Sequence, residues 1–251
     1  MNFVHETGII FRRQLRLSLR EPAWIAIGVL QPVLYLALFG PLLKPLASQL
    51  GTTNAYTFFV PGLLVQLAIF GALFVGFGLL GEYRDGVIEA ERVTPASRMA
   101  LLLGRVLRDV LQVAVQSVIL LVLGFVFGMR GSFWGMLLGF VLALILTGAI
   151  SAGGYALALT VKTEDSLAAV ANGVSLPVLL LSGILLPMTL APVWLQRVSD
   201  VIPVKHIVTG IRDLFTGGAW GPTVAWAVFW AAVLIAAGLW IGTRTFRRQN
   251  A

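Results

Sequence analysis

The residues best suited to recognition or chemistry are concentrated in one stretch, EYRDGVIEAERVTPASRMALLLGR, which begins at Glu82. Its charges come in mixed sign: Glu82, Arg84, Asp85, Glu89, Glu91, Arg92 and Arg98. Glu89 and Arg92 are spaced to share a helical face, and Tyr83, Val87, Ala90 and Thr94 fall on another. Gly86 weakens the middle of such a helix. Pro95 ends it, because the residue before a proline is pushed out of the α region. The stretch predicts a short charged helix, a break, and a return to apolar sequence at about Met99. That pattern suits docking against a soluble partner, although a solvated loop would carry the same residues. It does not suit catalysis. No Ser/His/Asp or paired-carboxylate arrangement is recognisable. The chain has no cysteine, which excludes disulfides, thiolate metal sites and cysteine nucleophiles. His5 and His206 are too far apart in sequence to form a zinc site by themselves. No G-x-x-x-x-G-K-[ST] occurs, so there is no phosphate-cradling loop of the kind that binds ATP.

A second unusual block lies toward the C-terminus, LSGILLPMTLAPVWLQRVSDVIPVKHIVTGIRDLFTGG. Pro177 sits inside an apolar segment, followed by Ser182-Gly183, Pro187 and Pro192, and a proline kinks or ends a helix. The residues after Pro187 remain apolar (Met188, Leu190, Val193, Trp194, Leu195) over a length too short to cross a bilayer. Two structures fit: a segment that dips into the membrane and returns, tolerated only where protein or a water-filled cavity covers its backbone, or an amphipathic helix on the surface with Trp194 at headgroup level.

The elements that must position these blocks are set by composition. Of 251 residues, 58% are hydrophobic and only 12% charged, against about a quarter charged in soluble domains. That is too little polar surface to cover a globule in water, so the excess apolar area requires lipid. A spanning helix needs roughly 20 apolar residues. Six segments qualify: Ala23–Leu43, Thr57–Gly81, Val106–Gly128, Phe133–Val161, Leu167–Leu186 and Pro222–Thr243. Within them the only charges are Arg108 and Asp109, near the start of the third. Lys and Arg divide 13 to 5 between the two sides, and the excess predicts that both termini are cytoplasmic. Membrane topology accounts for the net charge of +7 better than nucleic acid does. Ahead of the first span, Phe3, Ile9, Ile10, Leu15, Leu17 and Leu19 alternate with Arg12, Arg13, Arg16 and Arg20. This describes either an interfacial amphipathic helix or a plain basic anchor, broken at Glu21-Pro22. Gly124/Gly128, Gly135/Gly139 and Gly238/Gly242 have the spacing of close helix packing, within the bundle or between copies. Phe58, Phe59, Phe70, Phe74 and Phe77 read as packing residues. The fold class is therefore an all-α integral membrane protein, one transmembrane domain over 1–251. It has an amphipathic helix in 1–22, a cytoplasmic docking loop over 82–98 and an external, re-entrant loop over 187–221.

The docking loop resembles the first cytoplasmic loop of type-2 ABC exporter permeases, with Glu82, Gly86, Glu89, Thr94, Pro95, Ser97 and Gly104 where that pattern expects them. Ser182, Gly183, Pro187, Pro192, Trp194, Pro203 and Arg212 match the family's block before the last span in order. The resemblance covers nearly the whole chain, and the antibiotic-exporter branch is the most similar. Two departures stand out. Arg84-Asp85 inverts the usual acid-then-base order, and Glu91 and Arg92 stand where apolar residues are usual.

The resemblance implies a coupling helix formed by Glu82, Arg84, Asp85, Gly86, Glu89, Arg92, Pro95 and Arg98 and seated on a separate ATPase. It implies two copies of that ATPase, which would carry ATP and magnesium, and a second permease copy, identical or related. Pro177, Ser182, Gly183, Pro187, Trp194, Pro203 and Arg212 would line or cap a path for an amphipathic drug or lipid-like substrate out of a bacterial cytoplasmic membrane. Polysaccharide or lipid-linked glycan export is the alternative within the family. An ion-coupled carrier would need buried acids or broken helices at matching places in two repeats. A membrane scaffold would gain nothing from the proline-rich break.

Overall fold

A computed structural model of the chain describes residues 3–20, 23–46, 54–92, 94, 97–218 and 221–248. Every regular element among them is helical. Six are long and apolar enough to span a membrane: α2 (Ala23–Leu43), α3 continued by α4 (Ala55–Leu73 and Val75–Arg84), α6 (Arg98–Val126), α7 (Phe133–Val161), α8 (Glu164–Leu181) and α11 (Pro222–Arg248). Between and before them lie α1 (Phe3–Arg20), α5 (Val87–Arg92), α9 (Val193–Asp200) and α10 (Pro203–Phe215). The six expected spans are all present, and three of their boundaries shift in ways that matter for function.

The second span is two helices meeting at Phe74, whose N–H still reaches Phe70 O at 3.4 Å. It runs on past the expected end at Gly81, as far as Arg84. Gly86 does not weaken the middle of a charged helix. It adopts φ +72°, a left-handed conformation that favours glycine, and separates α4 from a much shorter α5. The third span starts at Arg98, eight residues before the expected Val106, with the Ser97 hydroxyl accepting the Ala100 N–H as an N-cap. Arg105 is thereby brought inside the helix. The fifth span ends at Leu181, short of the expected Leu186. Pro177 does not end it: the helix continues four residues beyond, and the break falls at Ser182 and Gly183, the latter at φ +72°. Pro95 and the Glu21-Pro22 step lie outside the described residues.

Lipid tails are as apolar as leucine, so association of the helices depends on close packing and polar contacts rather than on escape from water. Two of the three glycine pairs serve that packing inside one chain; in the third, Gly128 lies past the end of α6 at φ +98° with open space around it. A Cβ on Gly238 would sit 2.3 Å from Ala149 O, and one on Gly242 3.1 Å from Ala152 O, so α11 lies directly on the backbone of α7. Gly135 and Gly139 receive α10 in the same way. The main apolar core joins α3, α7, α10 and α11 through Phe59, Leu63, Leu146, Ile207, Ile211 and Ala227. A second cluster at one end gathers Leu79, Leu80 and Ile88 with Leu102, Tyr155 and Phe246. Phe246, near the C-terminus, and α1, packed along the start of α6, therefore lie at the same end of the bundle as α5. At the other end Thr57 donates to Arg130 O at 2.6 Å, and Phe215 O accepts from Ser132 N–H at 3.2 Å.

Candidate functional site

The end of the bundle that carries the charged loop is organised around Arg105. Its side chain is 1% exposed, and its Nη2 donates to Glu82 Oε2 at 2.6 Å and to Glu91 Oε2 at 2.8 Å. The remaining carboxylate oxygens are held by α1: Arg13 Nη1 lies 2.7 Å from Glu91 Oε1, and Gln14 Nε2 2.8 Å from Glu82 Oε1. Glu6, also on α1, accepts the Ser97 N–H at 2.9 Å where α6 begins. One guanidinium therefore fastens α4, α5 and α6 together, and α1 closes over the pair of acids. A buried charge is tolerated when it is paired and hydrogen-bonded, and a buried ion pair fixes geometry more than it adds net stability.

This arrangement sorts the predicted docking residues. Glu82 faces inward and belongs to the hub. Asp85 and Glu89 are exposed, as is Ala90, so the outer face of α5 is open to a partner. Arg84, also exposed, pairs with Glu164 at the start of α8. Arg92 is the last residue of α5, and Arg98 the first of α6, half-buried. The expected helical faces were drawn for a longer helix. In the observed α5 it is Ile88 and Glu91 that are buried, while Ala90 is exposed.

Sequence reasoning missed Arg105, Glu91, Arg13, Gln14 and Glu6 as a set. One signal was present: Glu91 occupies a position where the resembling family has an apolar residue, and an acid replacing a buried apolar side chain needs a buried cation. One turn further along α6, Asp109 is 2% exposed. It accepts from the Tyr155 hydroxyl at 2.7 Å and lies 3.0 Å from Arg108 Nε. These charges are internally paired and sit near the charged end, a pattern that fixes the helices.

At the other end, the break after α8 forms an elbow. Ile184 O rests against α3 so closely that a Cβ on Gly62 would be 2.4 Å from it. Gly62 lies seven residues into α3, on the order of 10 Å along its axis, so the elbow is seated within the bundle. Arg212 on α10 clips it there: Nη2 donates to Ile184 O at 2.9 Å and Nε to Phe58 O at 3.2 Å. The guanidinium carbon stands 3.8 Å from the Phe58 ring centroid, within range of a cation–π attraction. Ser182, Gly183, Pro187 and Arg212 line a single cavity of about 340 Å³ with Phe58, Lys205 and Asp213. Pro177, Trp194 and Pro203 are not among its lining residues.

Phe58, expected to be a packing residue, is part of the cavity wall. Pro203 opens α10 at the first helical position, where its missing N–H costs nothing. Trp194 is exposed on α9. Of the two structures expected for this region, α9 has the exposed apolar side of a surface helix, whereas α10 is packed into the bundle. Burial without a carboxylate partner lowers the Arg212 pKa to about 9, still charged at neutral pH. By contrast, the hydrogen bond from Lys205 holds Asp200 below its ordinary value.

Comparison with known proteins agrees with this architecture. Residues 5–216 match the family described as ABC-2 type transporter. The chain is 29% identical over 226 residues to the ABC transporter permease DrrB1 of Streptomyces coeruleorubidus, named for daunorubicin resistance, covering 89% of this chain and 79% of that protein. It is 28% identical over 222 residues to ycf38 of Cyanophora paradoxa, named as a transport permease, covering 87% and 77%. It is 26% identical over 247 residues to DrrC of Mycobacterium tuberculosis, an ABC permease named for doxorubicin resistance, covering 93% and 85%. With a family match over most of its length and six helices able to cross a membrane, the chain belongs to the ABC-2 type transporter family and is a multi-pass membrane permease.

Proposed function

We propose that the chain is the transmembrane subunit of an ATP-driven exporter, moving an amphipathic drug or lipid-like molecule out of the cytoplasm of a bacterium. A separate ATPase, present in two copies and binding ATP and magnesium, docks beneath the membrane on the exposed side of α5. A second permease copy completes the path. The observation that carries this reading is the two-sidedness of α5: Glu89, with Asp85 just before the helix, is exposed, while Glu91 on the other side is tied to α4 and α6 through Arg105 and to α1 through Arg13. A push on the outer face is transmitted as a rigid movement of α1, α4 and α6 rather than absorbed by a loose loop. Such a movement favours export only if substrate binds the inward- and outward-open states with different affinity. The elbow at Ser182–Pro187 is the segment best placed to open or close the outer route.

Inside-out vesicles containing the chain and the ATPase that co-purifies with it test the proposal. ATP-dependent uptake is followed with fluorescent doxorubicin and, separately, with a fluorescent phospholipid. Uptake of either that disappears without ATP supports export. ATPase-containing vesicles that move neither molecule argue against the substrate class.

A further inference from the structure

The wall of the outer cavity has an unbalanced charge. Arg105 is buried in the bundle, and Arg108 and Arg212 are half-buried. Arg105 has two carboxylates and Arg108 has Asp109. Arg212 has none within ion-pair distance among the described residues; its partners are the neutral carbonyls of Phe58 and Ile184 and the face of the Phe58 ring. Its Nη1 makes no hydrogen bond among the described residues. The side chain does not stand alone. Lys205, Thr209, Arg212 and Thr216 recur at helical spacing along α10 and all line the cavity, whereas Ile207, Val208, Ile211 and Phe215 are buried in the core. Lys205 is paired with Asp200, whose side chain is exposed to solvent. Asp213 also lines the cavity but lies beyond ion-pair distance of Arg212.

Withdrawing a cation from water without a counter-charge is costly, and for half-buried Arg212 that desolvation pushes the pKa down. An incoming anion would offset it without breaking an existing ion pair at Arg212, and a guanidinium edge matches the oxygens of carboxylate and phosphate. Phe58, Pro187 and Met188 add apolar surface to the wall, beside the neutral polar side chains of Thr57, Ser182, Thr189 and Gln196.

We propose that this cavity is a binding site for an anionic group, a phosphate or carboxylate, held by Arg212 with help from Lys205. The inference deepens the reading of the elbow as part of the export route and rests on it for its biological meaning. Within the proposed substrate class it selects anionic amphiphiles over cationic ones.

Binding is measurable without the ATPase, so its failure is distinct from a failure of the export reading. The detergent-solubilised full chain is titrated with dodecyl phosphate, inorganic phosphate, dodecyl maltoside and dodecyltrimethylammonium, and thermal stabilisation is followed. Dodecyl phosphate is expected to stabilise saturably, and the neutral and cationic amphiphiles are not. Saturation by inorganic phosphate at the same concentration identifies a free-anion site; saturation by dodecyl phosphate alone identifies a head-group site. Arg212→Gln is expected to abolish the effect, and Arg212→Lys to retain part of it. Because Arg212 also clips the elbow, two milder variants decide if Arg212→Gln does not fold. Lys205→Gln should weaken binding. Asp213→Asn, which removes the one opposing charge on the wall, should tighten it on the order of fivefold to tenfold. Equal stabilisation by dodecyl phosphate and dodecyl maltoside overturns the proposal. So does an affinity for dodecyl phosphate that neither Lys205→Gln nor Asp213→Asn changes.

Discussion

Replacing Arg105 by methionine isolates what the ionic hub contributes. The substitution keeps an unbranched side chain of similar length and removes the cation that Glu82 and Glu91 share at 2.6 and 2.8 Å. The two acids then face each other, their side chains only 22% and 10% exposed, with Gln14 and Arg13 as remaining partners. Breaking a buried pair from one side costs about 3–5 kcal/mol. The residual partners and partial exposure place this case at the low end, about 3 kcal/mol. For a chain of this length that corresponds to a fall of roughly 6–12 °C in melting temperature, measurable by fluorescence-detected size exclusion after heating. Arg105→Met/Glu82→Gln/Glu91→Gln removes all three charges while keeping the shape, and replacing a whole buried ion set is often nearly neutral. The triple variant is expected to regain at least half of the loss. A triple variant as unstable as the single one, or a single one that melts like the parent, refutes the hub as an electrostatic unit.

Other consequences are equally direct. A side chain on Gly104 would meet Ile10, with a Cβ 2.6 Å from Cγ2 and 3.1 Å from the backbone nitrogen of Phe11. Gly104→Val should therefore lift α1 off α6 at a cost of about 1–3 kcal/mol, seen as faster trypsin cleavage at Arg12, Arg13 and Arg16; unchanged digestion contradicts the docked position of α1. Gly183→Val places a β-branched residue at φ +72°, a conformation that disfavours L-residues by about 1–2 kcal/mol. It should slow transport while ATPase binding persists, and normal transport would remove the elbow from the route.

The parts of this fold legible in sequence were those written in long-range composition. Six apolar runs of spanning length required no tertiary information. The helix ends were less legible, because they depend on single residues. Gly86 and Gly183 each end a helix through a left-handed backbone, whereas Pro177, which looked like the stronger breaker, is accommodated within α8. The hub was hidden because its members lie on four elements separated by up to 99 residues of chain, from Glu6 to Arg105. Only Glu91, charged where an apolar residue was expected, hinted at a buried partner. The cavity beside the elbow was half legible: Ser182, Gly183, Pro187 and Arg212 stood together in one block of sequence. The Lys205, Thr209, Arg212 and Thr216 stripe becomes visible once α10 is known to be a helix.

The central claim is that α5 offers its exposed acids to an ATPase while its buried side drives the bundle. Co-purification tests it most directly. The tagged chain is expressed with its genomic neighbours, extracted in mild detergent, assayed for a bound ATPase, and compared with Asp85→Ala/Glu89→Ala. Both substituted residues are exposed, and neither belongs to the Arg105 hub, so the variant should insert and melt like the parent. The account predicts that the parent retains the ATPase and the variant loses most of it. A normally folded variant that holds the ATPase as firmly as the parent, or a parent that holds none, would contradict it.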